Sequence, residues 1–488
     1  MAGLGAIDHL VVLMLENRGF DHLMGYLYEE DEPRHFLPDE DRIFRGVAGR
    51  SDLGGWDQGS PARFWPVHRA PWASVHDMNA PFPDPGEAHT PHMNRQFYGV
   101  DEVSPDPAER PEIAPMSGFV ADYVRVARAH AQRSGREEAP DEAFAEEITR
   151  CFGPEATPVL SGLARAYAVS DAWFASVPSC TYANRSFLHC ADSGGWVDND
   201  PPPRWSQNTC PTLFERLDEV LPPERAWAVY WDPQDLVPLT RLIHRPLYDN
   251  RFNDRFLDME RFEEDCAAGR LPAYAFVQPR ILLNNNDMHP AYVAGQTTWS
   301  SVLGGDALVA RVYDALRRGP GWRRTLLVIV FDEHGGTFDH APPPAAVPPH
   351  RQPPYALEHG FRFDRLGARV PAVLVSPWIE AGTVFRAAGP RPLEHASIIR
   401  TATERWGLRP LTDRDRAAPS LAPVLTLSAP REDAPAFVPR PCLTLPPHEA
   451  RQAPLMGLQS ALLRLAARRG QALELDFERL GEALDWVF

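Results

Sequence analysis

An α/β fold, with a mostly parallel central sheet flanked by helices, is what this sequence predicts. Three observations lead there. Short, wholly apolar runs rich in β-branched residues recur along the chain, which is how strands buried on both faces read. Stretches of helical periodicity lie between them. Two of the runs stop on carboxylate-bearing tips: residues 10–15 on Glu16-Asn17, and residues 326–331 on Asp332-Glu333. In open α/β sheets, ligands bind beyond the carboxyl ends of such strands.

The 488 residues suffice for a large core, and 44% apolar content fits a globular protein. A formal net charge of −17, with no long Lys/Arg run, argues against a nucleic-acid partner. No run of about 18 apolar residues exists, so no transmembrane segment is expected. The start, MAGLGAIDHL, lacks a basic n-region, and Asp8 and His9 break any apolar core. The expected location is therefore cytoplasmic, or outside the cell by a route without a cleavable signal peptide. Cys151, Cys180, Cys190, Cys210, Cys266 and Cys442 form no CxxC pair and read as reduced structural thiols. With 51 prolines, long stiff loops are expected.

In chain order, the first strand and its Glu16-Asn17 tip lead into a helix carrying Phe20, Leu23, Met24 and Leu27. Residues 37–77 read as irregular coil or short strands. Within PFPDPGEAHTPHMNRQFYG, His89 and His92 are candidates to face a phosphate. Residues 116–131 predict an amphipathic helix, 132–147 a charged, exposed excursion, and 158–167 another helix. In AVSDAWFASVPSCTYANRSFLHCADSGG a short apolar element reaches Thr181 just before a helix expected to start near Asn184. Free N–H groups at such a terminus favour an anion, although Thr also serves as a plain N-cap. Residues 226–230 and 273–277 predict strands with an acidic helical segment between. Asp287 and His289 follow on an Asn-rich loop beyond the second strand.

A long helix over 297–316 feeds the strand at 326. After Asp332-Glu333, Gly335 and Gly336 let the backbone turn before Asp339-His340. Carboxylates and imidazoles at a strand end suggest a metal site, and Glu16-Asn17 reads as its second half. The proline-rich loop at 342–354 predicts a rim or lid. Residues 370–376 predict one more strand, and Glu394-His395 precede a helix to Trp406. Residues 411–488 are read as a C-terminal extension packing on a catalytic domain of residues 1–410, with an amphipathic helix over 456–468.

Four stretches, HLVVLMLENRGFDH, SDAWFASVPSCTYANRSF, FDEHGGTFDHAPPP and FDRLGARVPAVLVSPWI with the following EHASIIR and ERWGL, resemble the bacterial phospholipase C/acid phosphatase family. That family belongs to the alkaline-phosphatase-like superfamily. Order and spacing agree from about residue 7 to 408. The resemblance implies a doubly wound sheet and a phosphate-ester hydrolase with a hydroxyl nucleophile and a metal centre. It implies Glu16, Asn17, Asp332 and Glu333 as ligands of a divalent cation, with calcium, zinc and manganese left open. It implies Thr181 as the nucleophile, Asn184 and Arg185 beside it, and Asp287, His289 and His334 against the phosphoryl or leaving group. The expected substrate is a phospholipid head-group diester at a membrane surface, or else a soluble phosphomonoester. Two departures stand out: Gly19 where the family has Ser, and Ala183 where it has Pro. A sulfatase would need C-x-P-x-R, whereas Cys180 is followed by Thr181-Tyr182-Ala183. A non-catalytic relative is opposed by the intact set of Glu16, Asn17, Thr181, Asp332 and Glu333.

Overall fold

The computed structural model describes residues 3–441, apart from 71–80, 135–139, 201, 236, 282–283, 291–292, 295–296 and 299. Its centre is a nine-stranded sheet: β1 (His9–Leu15), β2 (His35–Leu37), β3 (Ala168–Ser170), β4 (Trp227–Trp231), β5 (Phe256–Asp258), β6 (Tyr274–Val277), β7 (Thr325–Phe331), β8 (Ala372–Val375) and β9 (Thr383–Phe385). Across the sheet the order is β5-β4-β6-β1-β7-β8-β3-β9-β2. Every pairing is parallel except the two made by β8, which runs against both β7 and β3. The fold is a doubly wound, mostly parallel α/β sheet.

The two most apolar strands lie side by side at its centre. Leu10 to Leu15 and Leu326 to Phe331 are almost wholly shielded from solvent. Each such aliphatic side chain contributes about 1.5–3 kcal/mol when buried. The register sets Leu15 opposite Phe331, so the chain leaves both strands at the same height. That single alignment puts Glu16-Asn17 beside Asp332-Glu333.

Helices flank the sheet: α1 (Phe20–Met24), α2 (Phe119–Ser134), α3 (Asp141–Thr149), α4 (Pro158–Ala166), α5 (Thr181–Cys190), α6 (Met259–Ala268), α7 (Val302–Arg318), α8 (Ala396–Trp406) and α9 (Asp413–Ala417). Helix α7 packs on α4 and α6, and α8 packs on α5 and α9. Asp306 of α7 ties α4 down by accepting from Val159 N (3.1 Å) and Leu160 N (2.8 Å), two of the orphan donors at that helix start.

Some expectations change. The charged excursion contains α3, whose Ala145 and Ile148 are buried in a small cluster with Val120, Tyr123 and Trp65. Helix α5 begins at Thr181 rather than near Asn184. The acidic segment between β4 and β6 holds an edge strand, β5, as well as a helix. Residues 411–441 pack against the rest of the fold through Leu421, Val424 and Leu425, which belong to the main core. The predicted helix over 456–468 lies outside the described residues. Among the described residues, no helix is long and apolar enough to cross a membrane.

Candidate active site

The tips of β1 and β7 are stitched together before any side chain acts. Asp332 N donates to Leu15 O (3.1 Å), and Asn17 N donates to Asp332 Oδ1 (3.1 Å). Asn17 adopts a left-handed backbone, φ 55°, a conformation Asn tolerates better than most residues. Gly335 also has positive φ, and a Cβ there would sit 2.5 Å from Asn17 O. The two tips therefore interlock only with glycine at 335. Gly19 is explained the same way. A Cβ would meet Phe338 O at 2.9 Å, while Gly19 N donates to Thr337 Oγ1 (2.7 Å).

Arg185 binds the two tips from α5. Its Nη2 donates to Glu16 Oε1 (2.8 Å) and Met14 O (3.3 Å), and its Nε donates to Asp332 Oδ2 (3.3 Å). All three side chains are fully buried. Thr181 lies one helical turn before Arg185, on the same face. The residues on either side of it, Cys180 and Tyr182, both feel the charge of Glu87. Asn184 does other work. Its amide accepts from Val177 N (2.9 Å) and donates to Val177 O, Ser179 O and Cys180 O, so it clamps the loop that carries Thr181.

Asn17 is oriented by its neighbours. Its Nδ2 donates to Glu87 Oε2 and to His289 Nε2 (3.0 Å), which turns Oδ1 away from both. His289 Nδ1 donates to Pro290 O (2.8 Å), so its Nε2 is a lone pair. Asp287 organises its own loop, accepting from His289 N (3.0 Å) and Asn285 Nδ2 (3.0 Å), while its carbonyl takes Glu16 N (2.8 Å). His334 Nε2 donates to Gln96 Oε1 (2.9 Å), and its ring lies against Phe97 and Phe119. His395 Nε2 donates to Asp332 O (2.6 Å).

Electrostatically the site is short of positive charge. Burial pushes Glu16 well up, against the pull of Arg185, and burial raises Asp332. Burial also raises Glu333, with the charges of Glu87 and Asp332 adding to it. Asp287 is pushed up by burial to about 6. Burial holds His289 at about 4 and His334 at about 3, so both are neutral imidazoles at neutral pH.

Four buried oxygens here have no hydrogen-bond partner: Glu16 Oε2, Asn17 Oδ1, Thr181 Oγ1 and Glu333 Oε1. Buried acceptors are rarely left unpaired. Carboxylate, amide and hydroxyl oxygens with excess negative charge are the donor set of a hard or borderline divalent cation, so these residues fit one. Arg185 Nη1 is also unpartnered. Among the described residues, the compact His/Cys/Asp/Glu triad is a different one, Asp198, Glu358 and His359, with ligand-type atoms within 4.8 Å of one another.

Three candidate groups lie apart from this set. Asp339 and His340 turn away with Asp21 into an ion-pair cluster around Arg369. His89 donates to Pro178 O (2.8 Å), and His92 pairs with Asp122 (3.1 Å). From their segment it is Glu87 that reaches Asn17, and its charge adds to the rise at Glu333. Sequence reasoning missed Glu87, Gln96 and the contact from His395, because nothing in PFPDPGEAHTPH marks which polar residue enters a site built by other strands.

The sequence matches the profile of the Phosphoesterase family over residues 7–409. It is 32% identical over 476 residues to non-specific phospholipase C5 of Arabidopsis thaliana, covering 94% of this chain and 82% of that protein. It is 23% identical over 447 residues to the non-hemolytic phospholipase C of Pseudomonas aeruginosa, covering 82% of this chain and 54% of that protein. Among solved structures, an alkaline phosphatase superfamily protein from Vibrio parahaemolyticus aligns with a TM-score of 0.32 at 13% identity, over 54% of this chain and 64% of that one.

Proposed function

This chain belongs to the phosphoesterase family and is a hydrolase of phosphoric ester bonds, and from that premise we propose that it is a phospholipase C-type enzyme cleaving head-group phosphodiesters. Its relatives at 32% identity are named non-specific phospholipases C. The observation that carries the mechanism is the set of unpartnered buried oxygens, in which a hydroxyl, Thr181 Oγ1, accompanies the tips of two strands.

In this reading Glu16, Asn17, Asp332 and Glu333 would hold a divalent cation. When bound, it supplies Lewis-acid charge and lowers the pKa of the neighbouring hydroxyl. Thr181 Oγ1 attacks phosphorus, the bond to the diacylglycerol oxygen breaks, and that oxygen leaves protonated. The head-group phosphate stays on Thr181 until water cleaves the ester. Arg185 Nη1, unpartnered within the protein, meets charge on the phosphoryl oxygens. Glu87 and His289 hold Asn17 by its Nδ2 and so leave Oδ1 available to the cation it would help to hold. Cys180 is unsuited to replace Thr181, since burial and the nearby carboxylates push its thiol well up and keep it protonated.

The test is a substrate panel of phosphatidylcholine, sphingomyelin, nitrophenyl phosphate and nitrophenyl phosphocholine, run with and without chelator. Turnover of the diesters, lost on chelation and restored by calcium, manganese or zinc, is expected. Turnover of nitrophenyl phosphate alone would make the enzyme a phosphomonoesterase, and chelator-insensitive turnover would remove the cation.

A further inference from the structure

The loop that presents Thr181 is also held from outside the site. His89 Nδ1 donates to Pro178 O (2.8 Å), Ser179 Oγ to Asp198 Oδ1 (3.2 Å) and Tyr182 N to Asn199 Oδ1 (2.9 Å). Asp198 is the hub of these ties. Its Oδ1 also accepts from His89 N (2.9 Å), and its Oδ2 accepts from His359 Nε2 (2.8 Å). The ring of His359, partly open to solvent, stacks over that of His89 at 6.1 Å and 19°.

The hub itself is pinned from behind. Glu358 Oε2 accepts from Val197 N (2.7 Å) and Asp198 N (3.1 Å). Arg204 pairs with Glu358 and donates to Asp198 O (2.6 Å). Asp198, Glu358 and His359 have the residue types of a metal triad, but every carboxylate oxygen of Asp198 and Glu358 already accepts a hydrogen bond, unlike Glu16 Oε2 and Glu333 Oε1. The arrangement is a brace.

We infer that Asp198, held by His359, is a positioning residue for the Thr181 hydroxyl. The inference rests on Thr181 being the nucleophile. Thr181 Oγ1 has no hydrogen bond within the protein, so its direction is inherited from the backbone at 178–182. Asn184 fixes that backbone from within α5, whereas Asp198 and Asn199 fix it to the rest of the fold. Without the outer tie the loop moves as a unit and the attacking oxygen leaves the line of attack. A shift of about 1 Å costs on the order of 100-fold in rate.

The test compares kcat and KM on nitrophenyl phosphocholine for the whole chain carrying Asp198→Ala, Ser179→Ala, His359→Ala or His359→Gln, beside Thr181→Ala, with urea unfolding of each. Asp198→Ala is expected to lower kcat about 10- to 100-fold with KM within about twofold. Ser179→Ala and His359→Ala should lower it less, and His359→Gln, which still donates from Nε2, should restore it. Should Asp198→Ala fail to fold, the Ser179 and His359 variants decide. Inactive Thr181→Ala beside unimpaired Asp198→Ala and Ser179→Ala overturns the brace alone. Active Thr181→Ala overturns the nucleophile and the brace together. Losses of kcat that only track the folded fraction also overturn it.

Discussion

Thr181→Ala should separate chemistry from folding more sharply than any other change in this chain. The side chain is fully buried, yet its hydroxyl makes no hydrogen bond. Removing it therefore breaks no partnership. The lost methyl group costs about 0.8 kcal/mol of apolar burial, while deleting an unsatisfied buried hydroxyl recovers about 1–3 kcal/mol of desolvation. The two effects oppose each other, so stability should move by no more than about 2 kcal/mol in either direction. Turnover should fall by about 10⁴-fold or more, the scale on which nucleophile deletions act in hydrolases. The assay pairs urea unfolding with kcat on nitrophenyl phosphocholine, and acid quench with mass spectrometry of the 181–190 helix. Wild type should carry a phosphocholine adduct on Thr181 during turnover, and Thr181→Ser should keep measurable activity. If Thr181→Ala retains kcat within about tenfold, or if the adduct maps to another residue, the mechanism built on this hydroxyl is wrong.

Three further outcomes follow from the same contacts. Asn184→Ala strips partners from Val177 N, Ser179 O and Cys180 O and should cost about 2–4 kcal/mol in urea unfolding, the reverse of the Thr181 pattern. Burial lifts Asp306 to about 7, against its two backbone donors; folding therefore takes up a proton, and its contribution, full below about pH 4, is lost as pH rises through about 7. In Asp306→Asn the fall in unfolding free energy between pH 4 and pH 7.5 should accordingly be shallower than in wild type. Arg369→Met leaves Asp21 and Asp339 buried without their cation and should cost about 3–5 kcal/mol, with much of that recovered when both aspartates are also changed to Asn.

The parts of the site that could be read from sequence are those where one residue's neighbour along the chain settles its place in space. A buried apolar run that stops on Glu16-Asn17 or Asp332-Glu333 can put those residues nowhere but a strand end. Beyond the tips that rule fails. After Gly335 and Gly336, both at positive φ, the chain reverses, so Asp339 and His340 leave the site although they look equivalent to Asp332 in sequence. Direction is equally silent: β8 has the same apolar pattern as β7 but runs antiparallel to it, because burial on both faces depends on composition and not on polarity of the chain. Glu87 was unreadable because its segment carries no periodicity, and its position is set by a partner, Asn17, that lies 70 residues earlier on another element.

The paired phrases FDH, at residues 20–22 and 338–340, show why the two strand tips need a second layer. Five acidic groups, Glu16, Glu87, Asp287, Asp332 and Glu333, crowd one end of the sheet, and any of them that ionise repel one another across β1 and β7. Among the described residues, Arg185 is the cation that bridges Glu16 and Asp332 there. Further along each segment, Asp21 and Asp339 converge on Arg369 at 2.8 and 3.0 Å, and His340 closes the cluster on Asp21. The Arg369 guanidinium lies over the Phe20 ring and donates to Arg45 O and Asp171 O, so it cannot swing away to the site. A buried ion-pair network is weak evidence for net stability. Its value here is geometric: it fixes the two segments that follow the tips by contacts that do not involve the tip carboxylates. The acidic tips can then keep their alignment whatever their state of ionisation.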